Sequence, residues 1–466
     1  MVVERDLPVH VWGMAAPGEQ VTVTFRDETR TTRRRPRPLE PLSLTRKSRR
    51  PLSVDRKGLR HSSDAITLDD ILVGDVWVAS GQSNMEFGLR QAATAADDLP
   101  NAANPQIRLL LVTRRASDYP QDDLQTEQWV ASSPDTAKDF SAVAWYFARE
   151  ISKREHVAVG VIDATWGGTV AEAWTRLGAL GEDAALAPLF VSRAKMTEAE
   201  PDALLRRKRL QDEHDQAVAQ GKPAQPVPWH PDLASWGPAE LWNGMIAPLT
   251  PLPIRGVIWY QGESNSALER APLYGRVFRT LIEDWRRQWA IGDFPFLYAQ
   301  ISSFKSGPGE DWALLREQPV RTLELRNTAM AVTIDIGNPD DVHPTDKVDV
   351  GHRLALAARA MVYGEDVSYI GPAFRQATPE GSTLRVWFDH HAKGLVAKGG
   401  DLTSFEIAGA DRKFYPATAK IDGNTVLATS PDVPAPLYVR YGWSNSPQCN
   451  LFNGADLPAS PFNSAE

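Results

Sequence analysis

Ser83 lies in the heptapeptide GQSNMEF, directly after the apolar run ILVGDVWVAS of residues 71–80. An alcohol becomes a nucleophile only when a base takes its proton and donors hold the oxyanion that forms. Candidates for both tasks lie downstream. The apolar run 157–162 leads into DATWGGT, where Gly167 and Gly168 let backbone N–H groups approach a reacting oxygen with no side chain in the way. The run 256–260 leads into QGESN, which offers the side-chain amides of Gln261 and Asn265 as donors. His343, in NPDDVHP, is the candidate base, and Asp340 and Asp341 precede it by three and two residues. Either carboxylate could orient the imidazole. A tight turn would favour Asp340 and an extended chain Asp341, so the spacing leaves both open.

These groups can meet only if a common scaffold brings their loops together. Strands are predicted near 71–80, 107–112, 157–162, 256–260, 296–300 and 329–334, with helical patterns at 142–153, 274–289 and 348–363 between or after them. The alternation is that of a doubly wound α/β sheet, which places its sites at the carboxyl edge of the strands. Taken singly, each motif has an ordinary reading: a serine after a strand caps a helix, paired glycines make a turn, and a histidine before a proline is a loop residue. Their order carries the inference, because Ser83, Gly168, Asn265 and His343 all fall on loops at one edge of the sheet.

The blocks GQSNM, WGGTVAEAW, WNGMIAPLTPLPIRGVIWYQGESN and DDVHPTDKVDVGHRLALAARA together resemble the sialate O-acetylesterase family within the SGNH hydrolases. DLPVHVWGMAAPGEQVTVTF resembles that family's opening β domain, and WSNSPQCNLFNGADLPASPF its end. The resemblance implies an α/β protein: a three-layer α/β/α SGNH core over residues 71–365, between a β-rich N-terminal domain (1–70) and a β-rich C-terminal domain (366–466). It also implies a serine esterase that removes acetyl groups from a carbohydrate without a metal or cofactor. On that footing Ser83 is the nucleophile and His343 the base, while the Ser83 N–H, Gly168 and either Asn265 or Gln261 form the oxyanion hole. The third SGNH block is ordinarily GxND, whereas this chain has Gly262-Glu263-Ser264-Asn265, so the side-chain donor stays open. The acid stays open too: the DxxH pattern selects Asp340, and DIHP-type sequences select Asp341. A rival from another class is a non-catalytic carbohydrate-binding protein on a degenerate hydrolase fold.

Composition narrows the partners. The 466 residues carry a formal charge of −8, which disfavours nucleic acid, and no apolar run approaches the ~20 residues of a membrane helix. The single cysteine, Cys449, can form neither an internal disulfide nor a thiolate zinc site, and reads as an idle thiol. Glu4, Arg5 and Asp6 interrupt the stretch in which a signal peptide would be apolar, while the resembled family is commonly exported. Compartment and oligomeric state are not fixed by these features.

Residues 8–25 alternate around Pro17-Gly18 as a β-hairpin or two sandwich strands. Residues 30–60 hold twelve Lys or Arg against Glu40 and Asp55, without an aromatic side chain, and are expected to form a disordered or aberrant basic loop where the family has ordinary strands. Residues 179–228 read as an inserted helical arm with a Pro-rich tail, and 383–388, 404–407 and 437–441 as strands of the terminal domain. Trp166, Trp174, Trp229, Trp236, Trp242 and Trp259 lie in or near the motif blocks, and indole faces either stack on sugars or fill cores; Trp166 is the preferred platform. His352 reads as structural, and His390 and His391 beside Asp389 as surface residues rather than a metal site.

Overall fold

Two tryptophans three residues out of phase show how the central sheet is covered. In the computed structural model, which describes residues 1–11, 20–25, 28–33, 42–44, 52–57 and 63–465, strand β2 (Leu72–Gly81) lies at the middle of the sheet with nine of its ten residues buried. Trp77 on β2 meets Phe147 of helix α2 (Ala142–Glu155) edge to face, with ring centroids 4.9 Å apart. On the neighbouring strand β6 (Gly256–Tyr260), Trp259 pairs in register with Ser80 and so projects to the opposite face, because side chains alternate along a strand. There it meets Trp285 of helix α4 (Tyr274–Trp289) at 6.0 Å. Helices therefore cover both faces, and the sheet is apolar almost throughout, as an internal parallel sheet must be.

The remaining strands are β1 (Val2–Glu4), β3 (Asn104–Leu111), β4 (Val130–Ser132), β5 (Ala158–Thr165), β7 (Phe296–Ala299) and β8 (Thr328–Ala331). The order is β4-β3-β5-β2-β6-β7-β8, parallel except for β4, and β1 runs parallel to the start of β2 with Val2 opposite Leu72. Residues 2–4, expected in the N-terminal domain, thus belong to the central sheet. Helix α5 (Val348–Met361) packs on α2, and Gly351 permits the contact: a Cβ there would stand 2.6 Å from Tyr146 Cβ. Trp77, Trp259 and Trp285 are each fully buried, and truncating any of them to Ala should cost about 3–5 kcal/mol.

Two expectations for the N-terminal region need correction. Val9–Val11 pairs antiparallel with Leu42–Leu44, not with Gln20–Phe25, so the two-strand reading holds in place of the hairpin; the Pro17-Gly18 turn lies outside the described residues. Within the basic stretch 30–60, part is ordered: Glu28–Arg33 and Leu52–Lys57 flank Gln20–Phe25 in an antiparallel sheet completed by Ser63–Leu68. A strand needs main-chain partners more than apolar side chains, and threonine suits it; Thr31 and Thr29 set their hydroxyls 3.0 and 3.1 Å from those of Thr22 and Thr24. Residues 34–41, 45–51 and 58–60 of that stretch lie outside the described residues. Val23 and Phe25 of this sheet bury themselves against Val3 and Ile71.

The insertion is a long helix α3 (Ala187–Ala219), largely exposed, followed by irregular chain to Trp229. The C-terminal region forms two four-stranded antiparallel sheets and a two-stranded ribbon around a separate apolar core that includes Leu384, Val386, Phe405 and Tyr441.

Candidate active site

The turn that follows β2 is held from both sides. Gly81 has a φ of +133°, and a Cβ there would lie 2.2 Å from the Tyr260 carbonyl oxygen, so only glycine fits. The Trp166 N–H donates to the Gly81 carbonyl at 3.1 Å and the Gln82 N–H to the Tyr260 carbonyl at 3.0 Å, fastening the turn to the ends of β5 and β6. Ser83 then opens the short helical turn α1 (Ser83–Glu86). His343 arrives from the loop between β8 and α5, and its Nε2 stands 2.8 Å from Ser83 Oγ across 260 residues of sequence. Burial first, and then the positive charge of Lys347, hold the imidazole below its usual pKa, against an opposing pull from Asp341. At neutral pH the ring is therefore free to accept a proton.

The two aspartates differ. Asp341 Oδ1 accepts the His343 backbone N–H at 2.9 Å and faces ring Nδ1 at 3.8 Å, whereas the Asp340 backbone N–H donates to the Asn338 side chain at 3.0 Å and its carboxylate makes neither a hydrogen bond nor an ion pair with His343. Of the paired glycines, Gly167 packs on the serine itself: a Cβ there would lie 3.2 Å from Ser83 Cβ. Its N–H donates to Glu86 Oε2 at 2.8 Å, and Arg114 pairs with the other oxygen of that carboxylate. Gly168, with φ of +74°, carries the N–H for which the described residues supply no acceptor.

Gln261 and Asn265 are both buried, and they are bonded to each other at 2.7 Å. The Gln261 amide also reaches Gln82 Oε1 and the Thr169 carbonyl, each at 3.1 Å, which uses both of its hydrogens. Among the described residues the Asn265 amide donates only to Glu172, at 2.9 Å, which leaves it one hydrogen. Arg270 pairs with the other oxygen of Glu172, so a buried ion pair fixes Asn265 in place.

The tryptophans separate by burial. Trp174, Trp242 and Trp259 are core residues, and Trp236 is buried with its indole N–H donating to the Gly168 carbonyl at 2.6 Å. Trp166 is half-buried under the Arg114 guanidinium, 5.8 Å from the ring centre. Trp229 is 65% exposed and lies against Gly168, where a Cβ would come 3.0 Å from its ring. The exposed indole face beside Gly168 thus belongs to Trp229, while Trp166, the sequence's preferred platform, is partly covered.

Residues 232–360 match the family described as carbohydrate esterase, sialic acid-specific acetylesterase. The mouse sialate O-acetylesterase is 30% identical over an alignment spanning 97% of this chain and 90% of its own. The chain belongs to the sialate O-acetylesterase family. The human member is 29% identical over 97% of this chain and 88% of its own. A carbohydrate acetylesterase from Xanthomonas citri, solved by crystallography, is 36% identical and superposes with a TM-score of 0.84 over 99% of this chain and 96% of its own. Both the α/β core and the flanking β-rich sheets are thus those of a carbohydrate acetylesterase.

Three charged or amide groups beside the serine escape the reading of motifs. Asn84 follows the nucleophile candidate, Glu263 sits inside QGESN, and Lys347 lies four residues after His343; all three are buried in contact around one another. Their signal lay inside the motif blocks, as a charged residue in an otherwise uncharged loop and a lysine at a helix start. His352 joins Glu150 at 2.7 Å at the surface. Burial pushes the Cys449 thiol up to about 11. Among the described residues, no group of three or more His, Cys, Asp or Glu is placed to hold a metal ion, and no helix is long and apolar enough to cross a membrane.

Proposed function

We propose that this carbohydrate O-acetylesterase works through an acetyl-enzyme on Ser83, with His343 as general base and then general acid. The 2.8 Å contact between Ser83 Oγ and His343 Nε2 carries the reading. As Oγ bonds to the acetyl carbon, its proton passes to Nε2; the bond from that carbon to the sugar oxygen breaks, and the proton leaves with the sugar. Water then attacks the acetyl carbon and passes one proton to Nε2; the bond from that carbon to Ser83 Oγ breaks, the proton on Nε2 returns to Oγ, and the acetyl group leaves as acetic acid. The oxyanion is held by the N–H groups of Ser83 and Gly168 and by the spare amide hydrogen of Asn265, because Gln261 and Gly167 already spend theirs.

Asp341 supports the base, since it is the carboxylate that faces Nδ1. Trp229 offers the sugar ring a flat apolar face next to Gly168. Acetylated sialic acid is the substrate named for the mammalian relatives, and acetylated plant polysaccharide is the alternative class. Acetate release measured directly from both classes distinguishes them. Trapping of the acetyl group on the peptide that contains Ser83, by acid quench and mass spectrometry, tests the covalent step. An acetyl group found on another residue would refute it.

A further inference from the structure

The Asn84 side chain makes contacts to three separate elements. Its Nδ2 donates to Glu263 Oε1 at 2.5 Å and to the Val342 carbonyl at 3.0 Å, and its Oδ1 accepts from Lys347 Nζ at 2.5 Å. Asn84 is the residue after Ser83, and Val342 is the residue before His343. One amide therefore joins the serine turn to the histidine loop directly, and joins both to the end of β6 through Glu263.

The anchors of this amide are unusual. Asn84 and Lys347 are fully buried, and Glu263 nearly so. Lys347 and Glu263 form no direct ion pair; Asn84 stands between them, receiving from the ammonium and giving to the carboxylate. The Lys347 ammonium also lies 4.7 Å from the centre of the Phe87 ring and 5.6 Å from that of Tyr260, a site that takes a cation but offers it little solvent. A buried polar cluster of this kind persists only where its members satisfy one another, and a cluster so constrained is rigid. The Ser83 and His343 side chains hang one residue away from it on either side.

We propose that Asn84 is a positioning residue: anchored by Lys347 and Glu263, it holds the serine turn and the histidine loop in register, so that Ser83 Oγ and His343 Nε2 remain in hydrogen-bond reach. The inference rests on the assignment of Ser83 and His343 above. Burial lowers the Lys347 pKa to about 7 and raises that of Glu263, each opposed by the other's charge, so the cluster is also electrostatically poised. The charged groups acting on His343 are Lys347 and Asp341; those acting on Lys347 are Glu263, Asp341 and Asp346.

The test uses p-nitrophenyl acetate with the full chain and the variants Asn84→Ala, Asn84→Asp and Ser83→Ala. Release of the register by even ~1 Å should lower kcat about 30-fold to 100-fold in Asn84→Ala while KM stays within a few-fold, because the small ester needs little binding surface. The rate at which a fluorophosphonate labels Ser83 should fall in parallel, a readout that a purely structural role in a folded variant would leave unmoved. Asn84→Asp keeps the shape and the bond from Lys347 but, once ionised, can donate to neither Val342 nor Glu263; above pH 8 it should show the same loss. Asn84→Asp decides the matter if Asn84→Ala does not fold. A folded variant of either kind with kcat within threefold of wild type overturns the clamp. Activity retained in Ser83→Ala would instead overturn the assignment beneath it.

Discussion

Asp341 holds His343 by the backbone and only faces its ring: Oδ1 takes the His343 N–H at 2.9 Å while Nδ1 stands at 3.8 Å. A triad acid in its tightest form would reach the ring itself, so here the carboxylate fixes the loop and lends charge at a distance. With half of the Asp341 side chain in solvent, that charge is screened.

Asp341→Asn should therefore lower turnover by about 10-fold to 100-fold, less than in enzymes with a buried acid, and Asp340→Asn should leave it within a few-fold of wild type. Steady-state rates on p-nitrophenyl acetate check the asymmetry. Equal losses in both variants would contradict it.

His343 is held below its ordinary pKa by burial and by Lys347, and only the neutral ring can accept the Ser83 proton. The acid limb of kcat/KM should accordingly fall below pH 6.5. Lys347→Met removes a positive charge and so favours the imidazolium; its limb should move to higher pH. A shift to lower pH, or none, would show that the Lys347 field does not reach the ring.

Gly167 makes a sharper steric case. A methyl group there would meet Glu86 Oε2 at 2.9 Å and Ser83 Cβ at 3.2 Å, so Gly167→Ala should displace the serine and cost about 100-fold in turnover with a small change in thermal midpoint. Unchanged kcat would mean that the serine turn adapts.

Trp229 separates sugar binding from chemistry. Trp229→Ala should raise KM for an acetylated sugar about tenfold, the loss of one stacking face, and leave p-nitrophenyl acetate hydrolysis nearly unaltered. If instead Trp166→Ala has the larger effect on sugar KM, the platform lies on the other side of Gly168.

Much of this architecture is legible in the residues because an internal parallel strand has to be apolar along its whole length. Gly256–Tyr260 and Tyr274–Trp289 begin and end in the structure where the pattern places them. Ser83 and His343 could be paired because each follows such a strand, and topology fixes which edge those loops share. The N-terminal strands were hidden by composition: Glu28–Arg33 and Leu52–Lys57 owe their order to main-chain pairing, which basic side chains do not advertise. Which amide keeps a free hydrogen, and which aspartate turns to the ring, depend on hydrogen-bond geometry that no spacing encodes. Asn84 and Lys347 show the same limit, since their contact spans 263 residues.

Hydrolysis depends first on Ser83 as the nucleophile, and the most direct measurement is acetate release from an O-acetylated sugar by wild type and Ser83→Ala at matched thermal stability. Loss of the hydroxyl should lower turnover by at least ~10³-fold while the thermal midpoint stays near that of wild type. Turnover within tenfold of wild type in a folded Ser83→Ala would contradict the acetyl-enzyme and the proton relay built on it.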